Sequence, residues 1–256
     1  TKFLKPPHTY EYEKTFMPLL LLSKKRYVGM LYEHDINKCK CKSMGIVLKR
    51  RDNAACVKDS YGGIVDILMK DKDVNKAVKF IKSYLNDMVS EKIPLEKLII
   101  SKSLRGFYKN PESIAHKVLA DRIGKRDPGN KPSIGSRVPY VYIQTKGKVA
   151  LQGDRIENPN YIKHHKLKPD YNVYISNQIK NPVAQIYGLI VDQISNKSNK
   201  FFENKYKHYL KEYGEKKAMS KLSDFNIKEA GDIIFKDILR KAENKKNNIR
   251  DISSYF

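Results

Sequence analysis

The stretch "FMPLLLLSKKRYVGMLYE", Phe16–Glu33, decides how the fold is read. Two apolar runs, "FMPLLLL" and "YVGMLYE", flank the polar "SKKR" at Ser23–Arg26. Short runs of aliphatic and aromatic residues bounded by polar clusters read as strands. The four polar residues suit a hairpin-like turn or a strand that changes face. A third short strand is expected at Gly45–Leu48, after a polar loop. "KRRDNAA", Lys49–Ala55, follows as a basic cluster with an Asp-Asn turn or cap signal.

Helical spacing then takes over. Asp73 is placed to cap a helix over residues 74–90, whose apolar stripe is Val74, Ala77, Val78, Ile81, Leu85, Met88 and Val89. "PLEKLIISKSL", Pro94–Leu104, fits a helical turn or a strand, and period alone leaves both open. Asn110-Pro111-Glu112 opens another helix with proline at its first position. Ile114, Val118, Leu119 and Ile123 form its stripe, and it should stop before Asp127-Pro128-Gly129. "KRDPGNKPSIGSRVPYVYI", Lys125–Ile143, carries four basic residues, three prolines and two glycines. It reads as a rigid basic connection running into a strand over residues 138–144. Asp170 opens a helix reaching about Ile194, kinked or split by Pro182. From about Asn196 lysines dominate, which reads as a helical edge followed by a mobile tail. The expected fold class is mixed α/β: strands first, then a mostly helical part and a flexible C-terminal tail.

The chain has 256 residues, with 51 Lys+Arg against 28 Asp+Glu, a formal charge of +23. Hydrophobic content of 40% is enough for a core. Such an excess of one sign repels itself and is relieved by a polyanion, of which nucleic acid is the first candidate. No membrane partner is expected, because "MPLLLLS" is too short to span a bilayer. No secretory leader opens the sequence, so the expected location is intracellular. Cys39-Lys-Cys41 lacks a second matching pair, and with Cys56 the cysteines read as reduced thiols without a metal. Three basic clusters sit at element ends: Lys24-Lys25-Arg26-Tyr27, Lys49-Arg50-Arg51, and Lys125-Arg126 with Lys131 and Arg137. A lysine in a tight turn can reach phosphate or the N3 and O2 acceptors of a minor groove. The competing account of each cluster is a solvated face.

Catalytic signals are thin. "DKD" at 71–73 sits where aspartate caps a helix, His164-His165 lacks a nucleophile or carboxylate partner, and His116 belongs to a partly sheltered helix face. Gly62-Gly63 lacks the Lys-Ser/Thr of a phosphate loop. No catalytic residue and no metal ligand is assigned.

Together these segments resemble the C-terminal part of family B DNA polymerases, of the delta-like kind found in large nucleocytoplasmic DNA viruses. "YEYEKTFMPLLLLSKKRYVGMLYE" looks like the E-K-x-x-x-P-x-x-L-x-x-K-K-R-Y segment of that family. "MGIVLKRRDNA" is similar to its G-x-x-x-x-R-R-D-N. "HKVLADRIGKRDPGNKPSIGSRVPYVYI" looks like its thumb segment, and "YNVYISNQIKNPVAQIYG" like the helix that follows. The resemblance implies that residues 1–52 end the palm, residues 53–213 form the thumb, and residues 214–256 are a basic tail. It implies that Lys24 and Lys25 touch the minor groove near the primer terminus, with Arg26 beside them, and that Tyr27 meets the primer backbone. Arg50, Arg51 and Asp52 would knit palm to thumb near the primer strand. Lys125, Arg126, Lys131, Arg137 and Tyr140 would hold the product duplex. Neither the D-x-x-S-L-Y-P and D-T-D aspartates that hold the metals nor the K-x-x-x-N-S-x-Y-G helix occurs here. The implied Mg²⁺ therefore belongs to the complete polymerase, with its ligands outside this chain. The implied partners are primer–template DNA and the remaining palm, fingers and exonuclease domains.

The sequence ends "IRDISSYF". Ile252 with Tyr255 and Phe256 resembles the sliding-clamp-binding box Q-x-x-I-x-x-F-F, although Ile249 stands where that box has Gln. Such a peptide plugs an aliphatic and two aromatic side chains into a clamp pocket. The expected function is therefore the duplex-gripping part of a DNA-directed DNA polymerase, inactive by itself, working inside the cell and, if viral, at a replication site in host cytoplasm or nucleus. The rival reading is a non-enzymatic DNA-binding or processivity module tethered to a clamp. A weaker rival is a basic RNA-binding protein.

Overall fold

The computed structural model describes residue 5, residues 7–145, residue 147 and residues 151–247. It opens with a three-stranded antiparallel sheet in the order β1 (Thr15–Ser23), β2 (Arg26–Tyr32), β3 (Cys39–Met44). The expected hairpin is β1–β2. Ser23 pairs with Arg26, so its turn contains only Lys24 and Lys25. Along β1 exposed and half-buried residues alternate, the period of a strand with one face covered.

The expected third strand at Gly45–Leu48 is not there. The strand lies earlier, at Cys39–Met44, within the segment read as a polar loop. β3 is an edge strand, where lysines are favoured because they discourage further pairing. The apolar Ile46 and Val47 instead enter the core around a 3-10 turn at Val47–Lys49.

No element was expected over α1 (Ala55–Asp66), which follows the Asp-Asn turn or cap signal. Gly63 is there for packing: a Cβ at this position would lie 2.2 Å from the Phe80 ring on the next helix. α1 widens into a π-helical turn, Ile67–Asp71. α2 (Val74–Val89) is the expected helix, and the Asp73 carboxylate accepts from the Lys76 backbone N–H at 2.9 Å. "PLEKLIISKSL" resolves into both of its alternatives, a 3-10 turn at Leu95–Leu98 and then β4 (Ile100–Ser103). α3 (Ala115–Arg126) follows a short 3-10 turn at Pro111–Ser113. It ends, as expected, before Asp127, whose carboxylate accepts from Gly129 N–H and the Asn130 amide. β5 (Arg137–Tyr142) lies between β4 and β6 (Ile156–Glu157) in a second antiparallel sheet.

α4 (Pro159–His165) precedes the region expected to form one kinked helix. That region is α5 (Tyr171–Val173), a π-helical Tyr174–Ile179, α6 (Lys180–Gly188) and α7 (Val191–Ile194). Pro182 lacks an N–H for the residue one turn back, and the widened turn lies immediately before its helix.

The expected mobile tail is corrected over most of its length. Residues 199–213 form α8 (Asn199–Tyr213), and α9 (Glu215–Lys246) is a helix of 32 residues. α9 buries Ala230, Gly231, Ile234, Phe235 and Ile238, and it packs extensively on α6. A Cβ on Gly188 would lie 2.9 Å from Ile227, so the two helices meet at close range. Lys245 donates to the Val89 carbonyl at 2.8 Å, and Lys246 to the buried Asp170 carboxylate at 3.2 Å. Phe235→Ala should cost about 3–5 kcal/mol of stability, read as a lower urea midpoint. An unchanged midpoint would mean that α9 contributes nothing to the core.

Candidate nucleic-acid interface

The two-residue turn projects Lys24 and Lys25 into solvent. Lys25 holds a left-handed φ of 62°, a conformation that is costly for a residue with a Cβ. Behind it lies Gly45, at φ +63°, where a Cβ would stand 2.3 Å from the Lys25 carbonyl oxygen. No other residue fits there without moving backbone. The chain therefore passes directly beneath the turn on its way to Lys49–Arg51.

Arg26 and Tyr27 have structural duties instead. The Arg26 guanidinium donates to Gln185 Oε1 on α6 at 2.8 Å. Tyr27 packs edge-on against Phe16, ring centroids 5.6 Å apart. Arg50 forks onto Asp52 through two hydrogen bonds, 3.1 and 2.9 Å. That guanidinium holds the Asp52 carboxyl below the usual carboxylate range. Arg51 is exposed, and its carbonyl accepts from Arg137 at 3.4 Å. Arg137 also donates to the Ser101 carbonyl and, at 3.3 Å, to Ser103 Oγ. The turn, the Arg50–Asp52 loop and the β4–β5 sheet thus form one chain of direct contacts.

The third cluster divides. Lys125 is exposed. Lys131 lays its alkyl stem over Gly124 and keeps its ammonium 3.8 Å from Asp121. Arg126 does not stand free as a duplex contact. It pairs with Glu157 at 3.0 Å and stacks over the Tyr161 ring at 3.9 Å. Glu157 is only 2% exposed, and Arg122 also reaches it, at 3.4 Å. A carboxylate this deep needs its cations. Tyr140, also expected at the duplex, is 3% exposed and belongs to the core of the β4–β5 sheet. Burial pushes its hydroxyl above the normal tyrosine range.

Two cations escaped the sequence reading. Lys102 and Arg105 are isolated in "SKSLRG" and form no run. Both are exposed, and β4 pairing sets Lys102 across from Val138 and Ser103 across from Arg137. Alternation offered no signal, since Lys102 shares the strand face of the inward Ile100; its exposure belongs to the assembled fold. His116 feels them. Burial first, and then the charges of Lys102 and Arg105, lower its pKa from 6.5. Its Nε2 lies 3.1 Å from the Tyr108 hydroxyl.

Among the described residues, no group of three or more His, Cys, Asp or Glu could hold a metal ion. Cys39 and Cys41 lie exposed on β3, and burial pushes the Cys56 thiol up to about 12. His165 stacks on Tyr161 at 3.7 Å and bonds its carbonyl, a packing role. No described helix is long and apolar enough to cross a membrane. Ile252, Tyr255 and Phe256 lie outside the described residues.

The sequence profile of DNA polymerase family B matches residues 1–190. The chain is 48% identical over 260 aligned residues to the DNA polymerase of Pyramimonas orientalis virus, covering 100% of this chain and 22% of that protein. It is 49% identical over 205 residues to the DNA polymerase of Acanthamoeba polyphaga mimivirus, covering 78% of this chain and 12% of that protein. The DNA polymerase delta catalytic subunit of Candida albicans is 34% identical over 199 residues, 77% of this chain and 19% of the relative. Among solved structures, the family B DNA polymerase of the hyperthermophilic archaeon Pyrobaculum calidifontis matches with a TM-score of 0.50 and 25% identity. That match covers 66% of this chain and 21% of the archaeal one. The chain thus spans less than a quarter of the length of these relatives.

Arg126→Ala should lower stability by about 1–3 kcal/mol, because Glu157 loses one of two cations. Its effect on the salt dependence of DNA binding should be negligible. His116 supplies a pH test. The unfolded chain takes up its proton near 6.5, and the folded chain only at lower pH. Stability should therefore fall as pH drops below 6.5 and level off below the folded pKa. A polyanion that neutralises Lys102 and Arg105 should raise the His116 pKa, which NMR titration with and without duplex will read. No upward movement would mean that the DNA stays away from those two cations.

Proposed function

Because this chain belongs to DNA polymerase family B, we propose that it is the part of a DNA-directed DNA polymerase that grips primer–template duplex. The β1–β3 sheet up to Asp52 ends the palm, and the helical body from Asn53 onward is the thumb. In this reading α8 and α9 brace the thumb, since α9 packs on α6. The remaining palm, fingers and exonuclease domains are its partners, inside the cell at the site of viral replication. A sliding clamp, engaged through Ile252, Tyr255 and Phe256, tethers it.

One observation carries the reading. Lys24, Lys25, Arg51, Lys102 and Arg137 are joined through contiguous backbone and hydrogen bonds. Arg50, Arg126 and Lys131 are committed to carboxylates. Those five have none within 4.0 Å among the described residues. Unpaired, ordered cations at adjoining element ends suit a phosphate backbone. Two-metal phosphoryl transfer needs converging carboxylates. The residues here do not fit Mg²⁺, and its ligands belong to the rest of the polymerase.

The test is a salt series on a primer–template duplex. Each lost phosphate contact should reduce the slope of log affinity against log salt by about 0.9. Lys125→Ala should remove about one such contact. Lys24→Ala with Lys25→Ala should weaken binding at the primer end most. Equal and negligible effects from all three would return these lysines to a solvated face. Incorporation of nucleotide by this chain by itself would overturn the assignment of catalysis to the missing parts.

A further inference from the structure

The most exposed large apolar side chains of the helical body are Phe107 and Ile134, at 83% and 73%. They stand on adjoining loops. Leu104 N–H donates to the Ser136 carbonyl and Gly135 N–H to the Leu104 carbonyl, both at 2.8 Å. Ile134 lies over Gly106, with its methyl groups 3.7 and 3.8 Å from where a Cβ would be. The loop bearing Phe107 is also braced. Arg105 N–H donates to the Tyr108 hydroxyl at 2.7 Å, and that hydroxyl meets His116 Nε2 at 3.1 Å. Two large apolar groups are thus held out to water by a hydrogen-bonded frame. Such exposure costs solvation and marks a surface used for contact.

The surroundings indicate the partner. Lys102, Arg105 and Lys109 are exposed on the same loop and strand, and Arg137 follows Ile134 by three residues. An apolar tip ringed by cations is complementary to a ligand with anionic rims and an apolar floor. The minor groove of a duplex is such a surface, with phosphates along both edges and sugar and base-step edges between them. Apolar side chains enter it to pack on those edges or between steps. A single strand, whose bases stack on flat aromatic faces, would be met by several rings in a row, and here there is one.

We infer that Phe107 and Ile134 form an apolar probe that seats in the minor groove of the duplex, flanked by Lys102, Arg105 and Arg137 on its phosphates. This inference rests on the duplex-gripping reading and adds to it a contact that is not ionic.

A contact without charge leaves a distinct signature. Removing it lowers affinity at every salt concentration and leaves the salt slope unchanged, whereas removing a phosphate contact changes the slope. The experiment is fluorescence anisotropy with the whole chain and a labelled A·T-rich primer–template duplex, across a salt series. Phe107→Ala with Ile134→Ala should weaken binding roughly tenfold at all salts, the scale of one well-buried apolar side chain. Phe107→Leu should restore part of the loss. Both positions are exposed, so the thermal midpoint should not fall. Filling the minor groove with netropsin beforehand should abolish the advantage of wild type over the double variant. Equal binding by wild type and double variant sinks the inference and spares the parent reading. An altered slope, or an advantage that survives netropsin, overturns the minor-groove assignment. A wild-type chain that does not bind duplex sinks the parent reading, and the probe with it.

Discussion

The approach of Gly45 to the Lys25 carbonyl constrains everything around the basic face. It allows the chain to leave the first sheet directly under the hairpin turn. Lys49–Arg51 emerge beside Lys24 and Lys25 for this reason, and Arg51 offers its carbonyl to Arg137. A side chain at position 45 would push the two layers apart and separate cations that come from distant parts of the sequence. Charge alone cannot create such a surface. It takes a residue that vanishes sterically at one corner.

Net charge turns out to be a poor guide to which cations are free. Arg26 braces the hairpin against α6, Arg122 and Arg126 neutralise a buried glutamate, and Lys245 and Lys246 fasten the end of α9. Planar guanidinium groups take most of the internal work, as expected of forked, weakly hydrated donors. Lys24 and Lys25 are left over at a turn, where no carboxylate among the described residues competes for them.

The β1–β2 hairpin, α2 with its Asp73 cap and the stop of α3 at Asp127 were legible because each depends on local chemistry: alternation, a capping carboxylate, a proline after a helix end. Gly45–Leu48 misled because a short apolar run looks alike as a strand or as a turn that buries two side chains. α9 was hidden for a different reason. Its buried stripe sets Ile234, Phe235 and Ile238 among the small Ala230, Gly231 and Ala242, in a stretch where the abundance of lysine outweighed the helical period. Arg126 and Tyr140 were misplaced because a charge or a ring in a basic run gives no sign of which way it faces. That depends on Glu157 and on β5, which only the assembled fold brings near.

The position of α9 also bears on how the molecule is made. α6 lies some fifty residues before the part of α9 that covers it, and Asp170 waits for Lys246. During synthesis the apolar side of α6 emerges from the ribosome long before its cover does. These pairings are distant in sequence, so the body cannot close until α9 has been translated. A nascent chain halted before residue 230 would present that uncovered face to chaperones and to other copies of itself, so closure of this body is timed by α9.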